Sequence, residues 1–265
     1  MFQIASSEVG HGASGATHGA AEHGLGVVPE HFKLDVGGFF VNADTVVATW
    51  ISMAVAIVVV LVLTKSLQRK PDGKQTVAES VVEFIEGLLK DEMGNINVFP
   101  YVPFIGSLFL FVLFSNWIGI LPWRLLNLAG VPLEIASPTN DLNTTGGLAL
   151  ISVMSYFYFG IKKKGLSYFK HYITPHPAFF FFNALEDFTR PLSLAFRLFG
   201  NIIGGEILLG ILLFLVPWFI PLPIFAFEVF VGFIQAFVFA VLTTSYIGAG
   251  VTEHHHDDHA HEGAH

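Results

Sequence analysis

Five apolar stretches of roughly 20 residues recur along this chain, at about 45 to 64, 101 to 122, 145 to 161, 191 to 216 and 222 to 248. Runs of that length leave few folds open. Each is long enough to cross a hydrocarbon core as a helix, and lipid offers no partner to a backbone N–H or C=O, so the helix must satisfy its own. With 53% hydrophobic residues, 13% charged residues and 28 phenylalanines, the chain has too little polar surface for a soluble globule of 265 residues. The expected fold is therefore an all-α membrane protein with about five membrane-embedded helices. Cysteine is absent, which removes disulfides and thiolate chemistry. The opening Met1-Phe-Gln-Ile4 lacks a cationic segment, so no cleavable signal peptide is expected.

Between the first two runs, Val77, Val81, Phe84, Ile85 and Leu88 share one helical face opposite Glu79, Glu83 and Glu86. That pattern predicts an interfacial amphipathic helix over Thr76 to Lys90. Tyr168 to Phe182, broken by Pro175 and Pro177, reads as a re-entrant or surface segment. Residues 65 to 100 carry Lys65, Arg69, Lys70, Lys74 and Lys90, and residues 162 to 190 carry Lys162, Lys163, Lys164, Lys170 and Arg190. The segments on the other side have only Lys33 and Arg124, which predicts an N-terminus outside and a C-terminus in the cytoplasm. Three parts are expected: an outer His/Gly-rich tail over 1–44, disordered at its start; a membrane domain over 45–248; and a His-rich cytoplasmic tail over 249–265.

Arg197 lies inside the fourth apolar run. A guanidinium cannot shed its charge there, and insertion costs at least ~2.5 kcal/mol, so a functional role is the default reading. Ser193, Arg197, Gly200 and Gly204 fall on one helical stripe beside Asn201. In the last run Glu228, Gly232, Ala236, Ala240 and Thr243 form a second stripe, with Gln235 at its edge. Both are small-residue faces of the kind that pack helix pairs. Pro217, Pro221 and Pro223 mark a turn between these runs, and an antiparallel hairpin centred there sets Arg197 level with Gln235 and Glu206 level with Glu228. Glu206 is no counter-ion for Arg197, because nine residues turn a helix to its opposite face and advance it by ~13 Å. The missing charge is expected on another chain.

Two other functions compete at this point: a secondary transporter that binds an anionic substrate through Arg197, and a haem-binding anchor. No histidine falls in any of the five runs, which counts against haem ligation. No internal repeat supports the transporter. The terminal histidines, among them His11, His18, His23, His254, His255 and His256, give adventitious metal affinity by composition alone, so no metal or other cofactor is expected. No nucleotide-binding motif is present, and no nucleic-acid partner is expected.

Leu185-Glu-Asp-Phe-Thr-Arg-Pro-Leu-Ser-Leu-Ala-Phe-Arg-Leu-Phe-Gly-Asn201, then Gly205-Glu206, then Gly232-Phe-Ile-Gln-Ala-Phe-Val-Phe-Ala-Val-Leu242 closely resemble the subunit a family of F-type ATP synthases. Asn116-Trp-Ile-Gly-Ile-Leu-Pro122 and Pro138-Thr-Asn-Asp-Leu-Asn-Thr-Thr145 extend the resemblance, and the Glu-Asp-Phe-Thr-Arg-Pro stretch is most similar to the bacterial and chloroplast branch. The resemblance implies that the last two helices form a long, tilted hairpin against a rotating c-subunit ring, whose carboxylates carry the ion. It implies ion translocation, of protons in the first place, through two offset half-channels, with coupling to ATP synthesis. Arg197 would be the essential charge facing the ring carboxylate. Glu206, Glu228, Asn201 and Gln235 would line the outer half-channel, Asn140, Asp141 and Asn143 its entrance, and Glu186 and Asp187 the inner half-channel or a helix cap. Some relatives carry histidine where this chain has Glu228, so here two carboxyls face each other as a coupled pair. The implied partners are the c-ring, the peripheral-stalk b subunits, the catalytic head at a distance, and lipid. The implied location is a bacterial plasma membrane or a thylakoid-type membrane.

Overall fold

The five apolar runs and the amphipathic segment all fold as helices in a computed structural model that describes residues 33–36, 39–65, 73–94, 96–120, 137–165, 178–215 and 221–251. Strands β1 (Lys33–Val36) and β2 (Phe39–Asn42) pair antiparallel, Lys33 opposite Asn42. Helices α1 (Ala43–Thr64), α2 (Gly73–Met93) and α3 (Val102–Ile120) follow. A single 3₁₀ turn, Pro138–Asn140, leads into α4 (Leu142–Lys164), and the long helices α5 (Ala178–Leu215) and α6 (Pro221–Val251) complete the bundle. Among the described residues, five of the six helices are long and apolar enough to cross a membrane. The fold is an all-α membrane architecture, with the small hairpin ahead of α1 as an addition that the apolar pattern did not predict. The tails at 1–32 and 252–265 lie outside the described residues.

Three expectations change. The fourth run does not begin at 191: α5 starts at Ala178 and spans 38 residues, so Ala178 to Phe182 open that helix instead of forming a surface segment, while 168–177 lie outside the described residues. Pro191 sits inside it, at the cost of one backbone hydrogen bond. Second, α2 runs from Gly73 to Met93, and its buried residues are Gln75, Ile85, Leu88, Leu89 and Met93. Val77, expected on the apolar face, is exposed. The C-terminal half of α2 is drawn into the bundle because Gly248 of α6 leaves room for it: a Cβ there would lie 3.3 Å from the Glu92 carbonyl. Third, the two small-residue stripes do not pack tightly on one another as a helix pair, although Gly200 and Gly204 of one and Glu228 and Gly232 of the other border a common cavity. The α6 stripe packs inward on α3 and α4, where Ser152 and Thr243 share a hydrogen bond of 2.9 Å. The α5 stripe faces out.

Ile105, Phe109 and Val112 of α3, Ile85 and Leu89 of α2, Leu194 and Leu198 of α5 and Phe239 and Ile247 of α6 form the buried core. At 1.5 Å per residue α5 is ~57 Å long, nearly twice an ~30 Å hydrocarbon core. A helix of that length does not fit the slab upright.

Candidate functional site

Glu206 and Glu228 meet as the hairpin register predicted. A Cβ placed on Gly205 would lie 3.0 Å from Glu228 Oε1, so the bare backbone of α5 is what admits the α6 carboxyl. Both acids line one cavity of about 250 Å³, together with Asn116, Gly200, Asn201, Gly204 and Gly232. The Asn140 amide donates to Glu206 Oε2 at 2.5 Å. Glu228 Oε1 is buried and has no hydrogen-bond partner among the described residues.

A network of uncharged side chains stands behind Asn116 in the wall of this cavity. Asn116 Nδ2 donates to the Gly232 carbonyl at 3.2 Å, and Thr139 Oγ1 donates to Asn116 Oδ1 at 3.0 Å. The Ser137 hydroxyl bonds to the Ser115 carbonyl at 3.0 Å, and Trp117 Nε1 donates to the Val229 carbonyl at 3.1 Å. Gly119 permits this packing, because a Cβ there would lie 2.9 Å from the Cα of Ser137. The two segments around Asn116 and Pro138 thus act as one joint that presses the 3₁₀ turn onto α3 and seats α3 on α6.

The remaining expected residues separate. Asn140 is buried, whereas Asn143 is exposed. Asp141 caps α4 by accepting the Asn143 N–H at 2.9 Å, and its other oxygen accepts from Asn42 Nδ2 at 2.8 Å. Asn201 lines the cavity; Gln235 is buried but does not. Glu186 and Asp187 lie two turns inside α5, which removes the capping alternative, because an N-cap residue must sit at the helix start. Both pair with Arg190: Glu186 in direct contact, Asp187 at 3.6 Å. The Arg190 guanidinium also lies 5.1 Å from the ring centre of Tyr246 and 5.8 Å from that of Tyr156.

Arg197 lies between these clusters, roughly 10 Å along the helix from Arg190 and ~13 Å from Glu206. It is exposed, and no ion pair or hydrogen bond to it exists among the described residues. Ser193, Gly200 and Gly204 beside it are exposed too, and Cβ atoms placed on the two glycines would meet nothing within 4 Å. Arg197 thus faces out from the bundle while Gln235, at its level, faces in. The stripe that resembled an internal packing face is exposed, with a charge at its centre and its glycines at the border of the cavity. Asn116, Thr139 and Arg190 stand in motifs quoted above but, like Tyr156, Tyr246 and Asn42, had no site role from sequence; only the four-residue spacing of Glu186 and Arg190 gives a readable signal.

Residues 46–248 match the family model described as ATP synthase A chain. The chain is also 46% identical over 229 residues to a protein of Stigeoclonium helveticum named ATP synthase subunit a, chloroplastic, an alignment covering 86% of this chain and 92% of that relative. Together with five apolar helices, these matches make the chain an integral membrane protein that belongs to the ATP synthase A chain family.

Proposed function

We propose that this chain is the stationary side of a proton path whose moving side is a ring of carboxylate-bearing subunits. Membership of the family gives proton translocation in the membrane sector of an ATP synthase, with the c-ring as partner. The route is our reading of the geometry. Protons would pass an outer half-channel through the entrance residues Asn140, Asp141 and Asn143 and the cavity of Glu206, Glu228 and Asn201, with Gln235 behind it. An inner half-channel would run by Glu186 and Asp187. The pole bearing Lys162 to Lys164 is taken as cytoplasmic, and the Glu206 pole as outer. Peripheral-stalk b subunits and lipid would cover the exposed apolar faces, such as Trp50 and Leu61 of α1. The long hairpin would lie inclined in the membrane, because tilting accommodates a span longer than the slab.

One observation carries this reading: Arg197 is an exposed cation with no ion pair among the described residues, on a bare glycine face between two polar clusters. A carboxyl group on a passing ring would travel through lipid protonated, since an isolated anion is costly there, and would be held as the anion opposite Arg197. Protonation would then depend on ring angle. Arg197 would also separate the half-channels, so that a proton crosses only by riding the ring. Each charge moved through the field contributes about 2.3 kcal/mol per 100 mV to torque. Arg197→Ala in the assembled complex should abolish proton-driven ATP synthesis in liposomes. Coupled synthesis at the parental rate in that variant would refute the role.

A further inference from the structure

Asn140 occupies the tip of a turn that cannot follow the groups around it. Its own N–H bonds to the Ser137 carbonyl at 3.0 Å, Ser137 and Thr139 are tied to α3, and the next residue, Asp141, is held by Asn42. From this fixed backbone the side chain reaches Glu206 Oε2 with Nδ2, while its Oδ1 is buried with no hydrogen-bond partner among the described residues. A side-chain amide offers a donor at one corner and an acceptor at the other, and a half-turn about its last bond exchanges them. A carboxylate only accepts, whereas a carboxylic acid also donates. One amide therefore matches Glu206 in both states, and leaving such a group unmatched in a buried site would be costly.

We propose that Asn140 is the positioning residue of Glu206, holding its carboxyl at the cavity it shares with Glu228 and serving it both with and without its proton. The inference rests on the reading above that Glu206 carries protons. The charged groups around it are few. Glu228 faces it from α6, and Asp141 stands at the head of α4, already engaged by Asn42 and the Asn143 N–H. No Lys, Arg or His lines the cavity among the described residues. Among the described residues, therefore, no cation lining the cavity would replace the amide.

The test is passive proton uptake by the complete membrane sector in liposomes, driven by a potassium diffusion potential, with co-purification of the ring as the measure of assembly. Asn140→Leu, similar in shape but unable to donate or accept, should slow uptake about tenfold, the scale of one hydrogen bond to a charged group. Asn140→Asp, closest in size, serves if the leucine variant fails to assemble. It should slow uptake by placing another carboxyl against Glu206. Neither change should slow uptake further in a Glu206→Gln background, because the residue acts through that carboxyl. Equal slowing in both backgrounds would mean packing alone and would overturn the inference. So would parental uptake in Asn140→Leu or Asn140→Asp where Glu206→Gln is slow. Parental uptake in Glu206→Gln itself would instead overturn the underlying proton path.

Discussion

Gly205→Ala sets stability and transport against each other. Alanine inside a helix is favoured over glycine by up to ~1 kcal/mol, so the substitution should not weaken α5. The added Cβ, however, would stand 3.0 Å from Glu228 Oε1, 3.5 Å from its Cδ and 3.8 Å from its Cγ. Only the terminal oxygen is too close. Ordinary contact begins near 3.4 Å, so the carboxyl must retreat by about 0.4 Å, which the end of a flexible side chain can do. The backbone therefore survives and the acid pair moves apart. A 1 Å misplacement of reacting groups costs about a hundredfold. A shift of this size should slow proton uptake roughly five- to tenfold. The assay is again potassium-driven uptake in liposomes by the assembled membrane sector, with Gly87→Ala of α2 as control, since a Cβ there meets nothing within 4 Å. Full assembly with a parental rate in Gly205→Ala would refute the claim that the bare backbone at Gly205 sets the position of Glu228.

Arg190→Gln should lower the thermal stability of the detergent-solubilised complex by about 1–3 kcal/mol, through loss of two aromatic contacts and the pairing with Glu186 and Asp187. Arg190→Lys should recover little of it, because an ammonium cannot stack as a planar fork does; an unchanged melting midpoint in the glutamine variant would sink the cage. Asn116→Leu should cost about 1–3 kcal/mol, since it strips an acceptor from the buried Thr139 and a donor from the Gly232 carbonyl. Urea titration of the purified complex measures it, and parental resistance would show that the α3–α6 joint does not depend on this side chain.

Why the helices were legible and the cavity was not follows from the kind of signal each leaves. A membrane span writes itself into 20 successive residues, and register in a short-looped hairpin follows from its turn, so the meeting of Glu206 and Glu228 was readable from the positions of three prolines. Asn140 and Glu206 are 66 positions apart, and Asn116 and Gly232 are 116 apart. Their hydrogen bonds join uncharged or singly placed side chains at no fixed period, and nothing local in either segment names the other. For the β-hairpin the sequence carries one local signal, the dipeptide Gly37-Gly38 between Leu-Asp-Val and Phe-Phe-Val, a pair of the type that favours hairpin turns. The start of α5 was lost differently. Pro175 and Pro177 suggest a break in the whole aromatic segment, but a proline limits only the residues before and beside it, and Ala178 onward is free to wind.

The two arginines of α5 differ in what their own helix gives them. They stand seven residues apart on one helix, and composition treats them alike. Arg190 has Glu186 four positions before it and Asp187 three before, so its helix supplies its own counter-charges, and the tyrosines of α4 and α6 close over it. Arg197 has Ser193 and Leu194 at those offsets, and Gly200 and Asn201 on the other side. No acid within reach along the helix can neutralise it. That asymmetry forces different uses: a cation satisfied within its own chain can anchor a helix, but it has no charge left to act on a neighbour. In the function proposed above, the one unsatisfied among the described residues would draw its anion from outside. On a helix whose adjacent glycines leave the surface open, such an anion could approach closely and then move on, as the proposed ring partner would require.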